Sequence, residues 1–537
     1  MLILCAGCAI SLATSVPAIA GSPSGSQQDA HIEILPFEVE VQEGVVLRGS
    51  VHKKSEVSSA GTVLLFSPYW GGISYGPTTT LWPEEARFVE AGFAVAQVSI
   101  RGTGGSDGCV QYGSKVDRDD AYQVVEALAD QPWSNGRVGM WGLSHDAWMQ
   151  YLAIAADPPA LKAAVPMSGI VDLWSWETTN GAPGITTPVW KPFWSLFYDA
   201  PDANRQPAIH GPCAEEQLAT QRAALDLIAT GDRTAFYQER DLRPLLRRAG
   251  VPVLVTNGTL ALGEGNGMVR TYDRLWRYLD PRKSRFLLGQ WGHRYPTHAS
   301  GQDFLELAID WFDHYLGDGR RTVRTGIVEF QDDSHTWHTA RRWPPPTQQR
   351  ARLFLSDGRL SGDRTTKDSD VRFQSQPVDP GRQCDGTGSL PNHALYVSKP
   401  LRRPAVVAGN FSVELTLTST LPGGNLAAIL YTTYGDGSCA DISTYGYEIG
   451  RAQLDLRHWK TPGTSRDFPT NRPTVVVLRS DPVMNAFSKG ERLVLAIGGG
   501  SADLFPDQMQ PGLTVSTGRS IAGGLVLPVY EGRIAFQ

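Results

Sequence analysis

The chain has 537 residues, of which 41% are hydrophobic and 19% are charged, and this composition is that of a globular protein. Its length suggests about two to four domains rather than one. A formal net charge of −6 gives it no electrostatic reason to bind nucleic acid or an anionic membrane surface, so neither partner is expected.

The first 20 residues are apolar and almost uncharged, and they end in Ala18-Ile19-Ala20. A small-residue site after an apolar run is typical of a secretory signal peptide. We expect a signal peptide over residues 1–20, cleaved near Ala20, and a secreted or periplasmic bacterial protein. The alternatives are a membrane anchor, for which the run is short, and a lipoprotein signal at Cys8. Residues 21–31 are expected to be a disordered leader.

Cleavage would remove two cysteines and leave four, at Cys109, Cys213, Cys384 and Cys439. An even number in an exported protein is compatible with disulfides, and four cysteines allow three connectivities. Cys384 and Cys439 share the C-terminal region and could pair, which would leave Cys109 with Cys213. The spacings do not resemble a metal site, and we expect neither a metal nor an organic cofactor.

Strands and helices alternate along the first third of the chain, after a hairpin pattern over residues 32–52. The predicted elements are the strands Thr62–Ser67, Phe93–Ile100, Val138–Trp141 and Leu161–Pro166 and the helices Trp82–Ala91, Arg118–Gln131 and Ala147–Ala156. This alternation predicts a mostly parallel sheet with helices on both faces.

The alternation stops after Leu173 and resumes with strands at Val251–Thr256 and Arg285–Leu288, followed by a helix over Phe304–Leu316. The intervening stretch has helical patches such as Ala214–Ala229. We therefore predict an α/β core in two parts, 32–173 and 246–346, with a helical cap inserted over 174–245.

A proline run at Trp343-Pro344-Pro345-Pro346 marks the end of the core. Short strands punctuated by glycine and proline follow, at Arg352–Leu355, Ser412–Leu417, Leu426–Tyr431, Thr474–Leu478 and Arg492–Ile497. Residues 350–537 are therefore predicted to form an all-β domain, a β-sandwich of the jelly-roll type.

Ser144 lies between a predicted strand and a predicted helix, which is the layout of a nucleophile elbow. Gly142 gives the crowded turn room, but Asp146 occupies the place of the second glycine in the usual Gly-x-Ser-x-Gly pattern. The alternative is a serine that merely caps the helix.

A base and two oxyanion donors would complete a candidate acyl-transfer site. In α/β-hydrolases the triad follows the order Ser, Asp or Glu, His, and His293 is well placed as the base, in a loop after Arg285–Leu288; His298 is the fallback. Tyr69 follows the strand Thr62–Ser67, and its phenol could donate to an oxyanion beside the backbone N–H of His145. Ordinary packing is the alternative for Tyr69.

Together these segments resemble the cocaine esterase / X-prolyl dipeptidyl-peptidase family of serine hydrolases. The matching stretches are Pro68-Tyr69 and residues 99–108, 133–144, 240–244, 290–293 and 487–493. The resemblance covers about residues 32–537 and implies an α/β-hydrolase core, an inserted cap and a C-terminal jelly roll. It further implies that Ser144 is the nucleophile, His293 the base and Tyr69 an oxyanion donor. The implied substrates are small esters or amides, or X-Pro peptides, and a peptidase would need an acidic group for the free amine, for which the cap offers Glu177, Asp199 and Asp202.

The sequence departs from the family at three positions. His145 replaces a tyrosine and Ala147 replaces a glycine, which are mild changes if only the backbone N–H of His145 is used. Ala261 stands where the family has its triad Asp, and this is the serious departure. Glu264 could reach His293 from its glycine-rich stretch, or the acid is lost, which costs about 10⁴-fold in turnover in another hydrolase. The chain is therefore read as an active hydrolase, with a catalytically impaired pseudo-hydrolase or binding protein as the alternative.

Overall fold

The computed structural model describes residues 31–71, 79–185, 213–260, 270, 272, 275–296, 298–299, 301–364, 367–378, 393–438, 441–442, 446–501, 504–505, 509–519, 521 and 523–537. The strands of the N-terminal part are β1 (Ile32–Gln42), β2 (Val45–Lys54), β3 (Ala60–Ser67), β4 (Ala94–Ser99), β5 (Ser134–Leu143), β6 (Leu161–Met167), β7 (Thr178–Thr179), β8 (Ala182–Pro183), β9 (Leu254–Gly258), β10 (Arg285–Gly289), β11 (His298–Ala299), β12 (Gln302–Asp303), β13 (Ile327–Gln331) and β14 (Trp337–Ala340). The helices are α1 (Pro83–Glu90), α2 (Lys115–Ala129), α3 (His145–Ala156), α4 (Leu173–Glu177), α5 (Ala214–Thr230), α6 (Ala235–Glu239), α7 (Arg243–Leu246) and α8 (Phe304–Leu316). Within these described ranges, no helix is both long and apolar enough to cross a membrane.

The N-terminal part is built on one mixed sheet with the strand order β1-β2-β4-β3-β5-β6-β9-β10-β13-β14. The strands from β4 to β13 in this order run parallel, and β1, β2 and β14 add antiparallel edges. Every residue of β3 and β4 is buried, as a strand covered on both faces requires. Helices α2 and α3 pack on one face, and α1 and α8 pack on the other. The predicted α/β-hydrolase core is confirmed.

The connections of the sheet reverse direction between β3 and β5, which are neighbours. The chain passes from β3 to β4 on one side and from β5 to β6 on the other. In open α/β sheets ligands bind at the carboxyl ends of the strands where the connections diverge in this way. Residues that follow β3 and β5 are therefore the first candidates for a site.

The segment between β6 and β9 leaves the sheet and contains α4 to α7 and the β7–β8 hairpin. A buried ion cluster holds it together: Asp172 accepts from Arg233 at 2.5 Å and from Arg243 at 2.8 Å. Two arginines around one carboxylate compensate the cost of removing that charge from water.

A disulfide joins Cys109, in the loop after β4, to Cys213 at the start of α5. This is the pairing expected for Cys109 and Cys213 if Cys384 pairs with Cys439. Cys384 and Cys439 lie outside the described residues. The bond fastens the cap segment covalently to the core.

Removing this disulfide is expected to lower the free energy of unfolding, because the reduced unfolded chain gains the entropy of a loop of 104 residues. For a loop of that length the chain-entropy model gives about 4–5 kcal/mol, and measured values range from about 0 to 5 kcal/mol. Urea unfolding of the Cys109→Ser/Cys213→Ser variant measures the loss. In excess reductant, which also breaks any bond between Cys384 and Cys439, the parent and this variant should unfold at the same urea concentration; a variant as stable as the parent when both are oxidised would contradict the prediction.

The C-terminal part is all-β, as predicted. Its strands are β15 (Gln349–Ser356), β16 (Arg359–Ser361), β17 (Ser369–Gln374), β18 (Ala394–Ser398), β19 (Ala405–Ser419), β20 (Asn425–Thr433), β21 (Tyr447–Asp455), β22 (Thr474–Phe487), β23 (Arg492–Gly498), β24 (Gly512–Thr517) and β25 (Gly524–Gly532). They follow the order β17-β24-β19-β22-β21-β20-β23-β18-β16-β15-β25, and β25 pairs with β19 as well. The second pairing closes the sheet into a barrel, which removes most exposed strand edges.

The expectation of short strands over Ser412–Leu417 and Thr474–Leu478 was wrong. These stretches belong to β19 and β22, which have 15 and 14 residues. The two strands pair through a register shift between Asn410 and Ser412, opposite Pro482. A bulge admits a residue without a normal ladder partner, so glycine and proline near it did not end the strands.

Candidate active site

Ser144 occupies a strained turn between β5 and α3. Its φ of 65° and ψ of −114° lie outside the regions that residues with a side chain normally adopt. Strain of this kind persists only where the surroundings impose it, and it clusters at functional sites. Ser144 stands at the N-cap position of α3, but its side chain makes no cap hydrogen bond, so its hydroxyl is not used to cap the helix. The local geometry is that of a nucleophile elbow.

Two glycines near the elbow explain how the turn accommodates Asp146 and Ala147 where the usual motif and the family have glycine. Gly142 has a φ of 141°, and a Cβ there would lie 2.3 Å from the Cβ of Asp146. A Cβ on Gly169 would lie 2.7 Å from the Cβ of Ala147. One glycine thus makes room for the Asp146 side chain, and the other makes room for the alanine that replaces the family's glycine.

Tyr69 lies close to the elbow at the point where the sheet connections diverge. It follows β3 by two residues, whereas Ser144 directly follows the neighbouring parallel strand β5. The rings of Tyr69 and His145 meet edge to face, with centroids 6.2 Å apart. The structure therefore places Tyr69 beside the residue whose N–H is the second expected oxyanion donor.

The His145 ring is a buried packing group. It contacts both Tyr69 and Trp148, with ring centroids 5.1 Å apart in the second pair. Burial lowers the pKa of His145 to about 3, so the ring is neutral at physiological pH. It adds no charge to the site, and the expected contribution of this residue is its backbone N–H.

The loop that carries His293 follows β10 and crosses the same carboxyl edge. Tyr295 stacks on Trp141 of β5, with ring centroids 5.7 Å apart, so the loop reaches the strand that leads to Ser144. Burial lowers the pKa of His293, which keeps the imidazole neutral and able to accept a proton. A general base must be unprotonated before it can act.

Thr259 and Leu260, which precede the segment expected to supply the triad acid, contact β10 and the loop that carries His293. The Leu260 N–H donates to the carbonyl of Trp291 at 3.0 Å, and the Thr259 N–H donates to the carbonyl of Gly289 at 2.9 Å. Residues 261–269, with Ala261 and Glu264, lie outside the described residues. The role of Glu264 therefore stays a prediction.

The candidate acids of the cap are only partly described. Glu177 is buried in α4 and accepts a hydrogen bond from the hydroxyl of Tyr237 at 2.7 Å, which serves the packing of the cap. Asp199 and Asp202 lie outside the described residues.

The sequence analysis missed the environment of Asp146, which it considered only as a missing glycine. The carboxyl is buried, and burial raises its pKa to about 7, while hydrogen bonds from Ser67 and Trp70 lower it. The sequence did contain a signal for this environment, since an acidic residue two positions after a candidate nucleophile is unusual in a helix that is otherwise mostly apolar.

The fold and the elbow define an α/β-hydrolase of the serine type. A family model described as X-Pro dipeptidyl-peptidase (S15 family) matches residues 46–295, and one described as X-Pro dipeptidyl-peptidase C-terminal non-catalytic domain matches residues 322–522. The chain belongs to this family of serine hydrolases, as the sequence resemblance implied.

Curated relatives carry two kinds of name. A Streptomyces avermitilis protein named provisionally as an Xaa-Pro dipeptidyl-peptidase is 26% identical over 512 residues, which cover 84% of this chain and 73% of that protein. The Xaa-Pro dipeptidyl-peptidase of Lacticaseibacillus casei is 23% identical over 459 residues, and this chain spans only 54% of its length. A Mycobacterium tuberculosis protein named provisionally as a serine esterase is 22% identical over 540 residues, which cover 83% of this chain and 84% of that protein.

Solved structures agree on the fold. An aminopeptidase from a marine sediment Thaumarchaeota archaeon superposes with a TM-score of 0.73 at 16% identity, and an α-amino acid ester hydrolase superposes with a TM-score of 0.71 at 19% identity. Each comparison covers 96% of this chain and 99% of the other.

Proposed function

We propose that this serine hydrolase cleaves an ester or amide through an acyl-enzyme in which Ser144 is the nucleophile and His293 the general base. The strained turn at Ser144, beside the point where the sheet connections diverge, is the observation that carries the proposal. Ser144 Oγ attacks the carbonyl carbon while His293 accepts the hydroxyl proton, and His293 then donates that proton to the leaving group. Water, deprotonated by His293, releases the acyl group and restores the serine.

The Tyr69 hydroxyl and the His145 N–H are proposed to stabilise the oxyanion of the tetrahedral intermediate. Both belong to segments at the carboxyl ends of neighbouring parallel strands, β3 and β5. Donors fixed in advance at such a place stabilise charge that appears only during the reaction, and so they raise kcat more than they tighten substrate binding.

Tyr69→Phe is expected to lower kcat by about 10²–10³-fold while KM changes little, because the loss of one oxyanion donor costs about that much in another serine hydrolase. Steady-state hydrolysis of p-nitrophenyl acetate measures both constants. Tyr122→Phe is the matched control, since Tyr122 is an exposed tyrosine on α2 and should be neutral. Equal kcat values for Tyr69→Phe and the parent would remove Tyr69 from the site.

The acid of the triad is proposed to be Glu264 or no residue at all. Leu260, the last described residue before Ala261, donates to the carbonyl of Trp291 in the loop that carries His293, which supports an acid reaching His293 from the residues that follow in the chain. The alternative, a catalytically impaired pseudo-hydrolase or binding protein, is favoured by Ala261 at the expected position of the acid.

The names of the relatives suggest two substrate classes, simple acyl esters and Xaa-Pro peptides. Hydrolysis of p-nitrophenyl acetate, p-nitrophenyl butyrate and an Xaa-Pro-p-nitroanilide by the folded protein separates them. Cleavage of the esters alone assigns an acyl esterase, and cleavage of the anilide assigns a dipeptidyl-peptidase. A folded protein that cleaves none of the three favours the pseudo-hydrolase.

We also propose that the protein is exported after cleavage near Ala20. The Cys109–Cys213 disulfide supports this, because such bonds persist in oxidising compartments. N-terminal sequencing of the protein from periplasm and medium tests it: a mature chain that starts at Gly21 is expected, and an uncleaved chain in the cytoplasm would contradict it.

A further inference from the structure

The Asp146 carboxyl connects the segments that carry the two proposed oxyanion donors. Asp146 is the second residue of α3 and directly follows His145. Its Oδ1 atom accepts from Trp70 Nε1 at 3.2 Å, and its carboxyl also accepts from the hydroxyl of Ser67. Ser67 and Trp70 stand on either side of Tyr69 in the chain.

The residues after β3 that carry Tyr69, 68–71, are called the Tyr69 loop here. Besides its bond to Asp146, this loop contacts the end of β4 and the turn that follows β4. The Tyr69 N–H donates to Ser67 Oγ at 3.4 Å, and the Ser99 hydroxyl donates to the carbonyl of Trp70. Gly104 packs so closely that a Cβ there would lie 2.0 Å from the Trp70 carbonyl oxygen. The loop is thus fixed to β4 and its following turn on one side and to the nucleophile elbow, through Asp146, on the other.

We propose that Asp146 is a positioning residue that sets the Tyr69 hydroxyl relative to the His145 N–H. It does so by accepting hydrogen bonds from Ser67, two residues before Tyr69, and from Trp70, directly after it, while its own backbone follows His145 at the start of α3. The inference rests on the proposed function, since it requires that both donors face the reacting carbonyl.

The physical reason lies in the geometry that oxyanion stabilisation demands. The donors must stand about 2.7–3.1 Å from the developing charge, and a misplacement of about 1 Å can cost 10²-fold in rate. Tyr69 lies on a loop after β3, whereas His145 lies on a helix after β5, so the sheet alone does not fix their separation. Asp146, which is 3% exposed, belongs to this helix and hydrogen-bonds to Ser67 and Trp70, and so fixes the separation.

Two buried carboxyl groups occur close to each other here. Glu85 on α1 is also buried; its carboxylate accepts from the Trp82 N–H at 2.6 Å. Burial raises the pKa of Glu85 to about 8, and repulsion from Asp146 adds to the shift. The hydrogen bonds of Glu85 serve the start of α1, whereas those of Asp146 reach the Tyr69 loop, which is why the inference concerns Asp146 alone.

Trp70→Phe and Asp146→Asn test the inference, because the first removes one N–H donor and the second replaces one acceptor oxygen by a donor. Each is expected to lower kcat on p-nitrophenyl acetate about 10- to 100-fold with KM changed less than about threefold. Trp311→Phe is the matched control: Trp311 is equally buried, lies on α8, and is expected to leave kcat unchanged.

The decisive comparison repeats the two substitutions in the Tyr69→Phe background. A residue that acts through the tyrosine hydroxyl should have less than about a threefold further effect there, because non-additivity identifies residues that act as a unit. The same loss of kcat in both backgrounds, or a lower melting temperature with unchanged kcat, would mean a merely structural role and overturn the inference.

Two further measurements keep the inference testable if Asp146→Asn does not fold or if the parent cleaves none of the substrates. Should Asp146→Asn not fold, Ser67→Ala removes its other donor and is expected to give the same pattern. Should the parent cleave none of the substrates, the rate at which a fluorophosphonate modifies Ser144 replaces kcat. A reactive parent whose rate does not change in Trp70→Phe contradicts the inference alone, whereas an unreactive, folded parent contradicts the proposed function and with it the inference.

Discussion

Ser144→Ala is expected to lower kcat for the best substrate by about 10⁵–10⁶-fold if Glu264 supplies the triad acid and by about 10²-fold if no residue does, while the protein folds as before. Removing a nucleophile leaves only the oxyanion hole and substrate binding, and in another serine hydrolase the loss was about 10⁶-fold. The Ser144 side chain makes no cap hydrogen bond, so its removal takes no such bond from α3. Steady-state hydrolysis and the melting temperature, measured together, separate catalysis from folding.

Ser134→Ala is the matched control for this variant. Ser134 begins the same strand, β5, and its hydroxyl accepts from the nearby Gly136 N–H at 3.2 Å. It should keep the full activity of the parent. Unchanged activity in Ser144→Ala would show that the hydrolysis arises from another residue or from a contaminating enzyme.

Ala261→Asp is expected to raise kcat, by up to about 10⁴-fold if no residue now supplies the acid. That factor is the cost of replacing the triad aspartate in another serine hydrolase. The carboxylate orients the imidazole and stabilises its protonated form, and Leu260, the residue before position 261, donates to the carbonyl of Trp291, two residues before His293. Ala261→Asn, which has nearly the same shape without the charge, should give no comparable gain.

Glu264→Gln completes this experiment in the parent background. If Glu264 is the acid, the substitution lowers kcat by orders of magnitude and Ala261→Asp adds little. If Glu264 is only solvated, the substitution is neutral and the gain from Ala261→Asp is large. A neutral Glu264→Gln together with no gain from Ala261→Asp would contradict the view that this segment supplies the partner of His293.

Local sequence was sufficient where a pattern and its consequence lie close together in the chain. The strand, turn and helix around Ser144 predicted the elbow, because a buried strand that meets a helix at a serine leaves few other conformations. Gly142 was correctly singled out, since a side chain there would collide with Asp146. The parallel sheet followed from the alternation of strands and helices.

Contacts between distant segments could not be derived in the same way. Asp146 accepts hydrogen bonds from Ser67 and Trp70, which lie more than 70 residues earlier in the chain, and no spacing pattern in the sequence predicts such a contact. The lengths of β19 and β22 escaped prediction because a bulge, set by pairing between them, overrides the local signals of Gly409 and Pro482. The strands β13 and β14, which extend the core sheet beyond β10, were missed for a related reason, since they follow the last helix and lack the earlier alternation.

The compensations around the elbow show how a family pattern can change without loss of its geometry. Asp146 replaces the second glycine of the usual motif, and its Cβ lies in the space that Gly142 leaves open. Ala147 replaces another glycine, and Gly169 on the facing turn lacks the atom that would collide with it. Departure from a motif at these two positions is therefore no sign of a lost elbow, whereas Ala261 removes a functional group.

Covalent labelling by a fluorophosphonate, with the modified peptide located by mass spectrometry, tests the central claim most directly. The reagent needs an activated serine and an oxyanion hole but no particular substrate. The account predicts one phosphonylated residue, Ser144, in the folded parent, with labelling abolished in Ser144→Ala and slowed in Tyr69→Phe. A folded parent that stays unlabelled, or that is labelled at another serine, would contradict it.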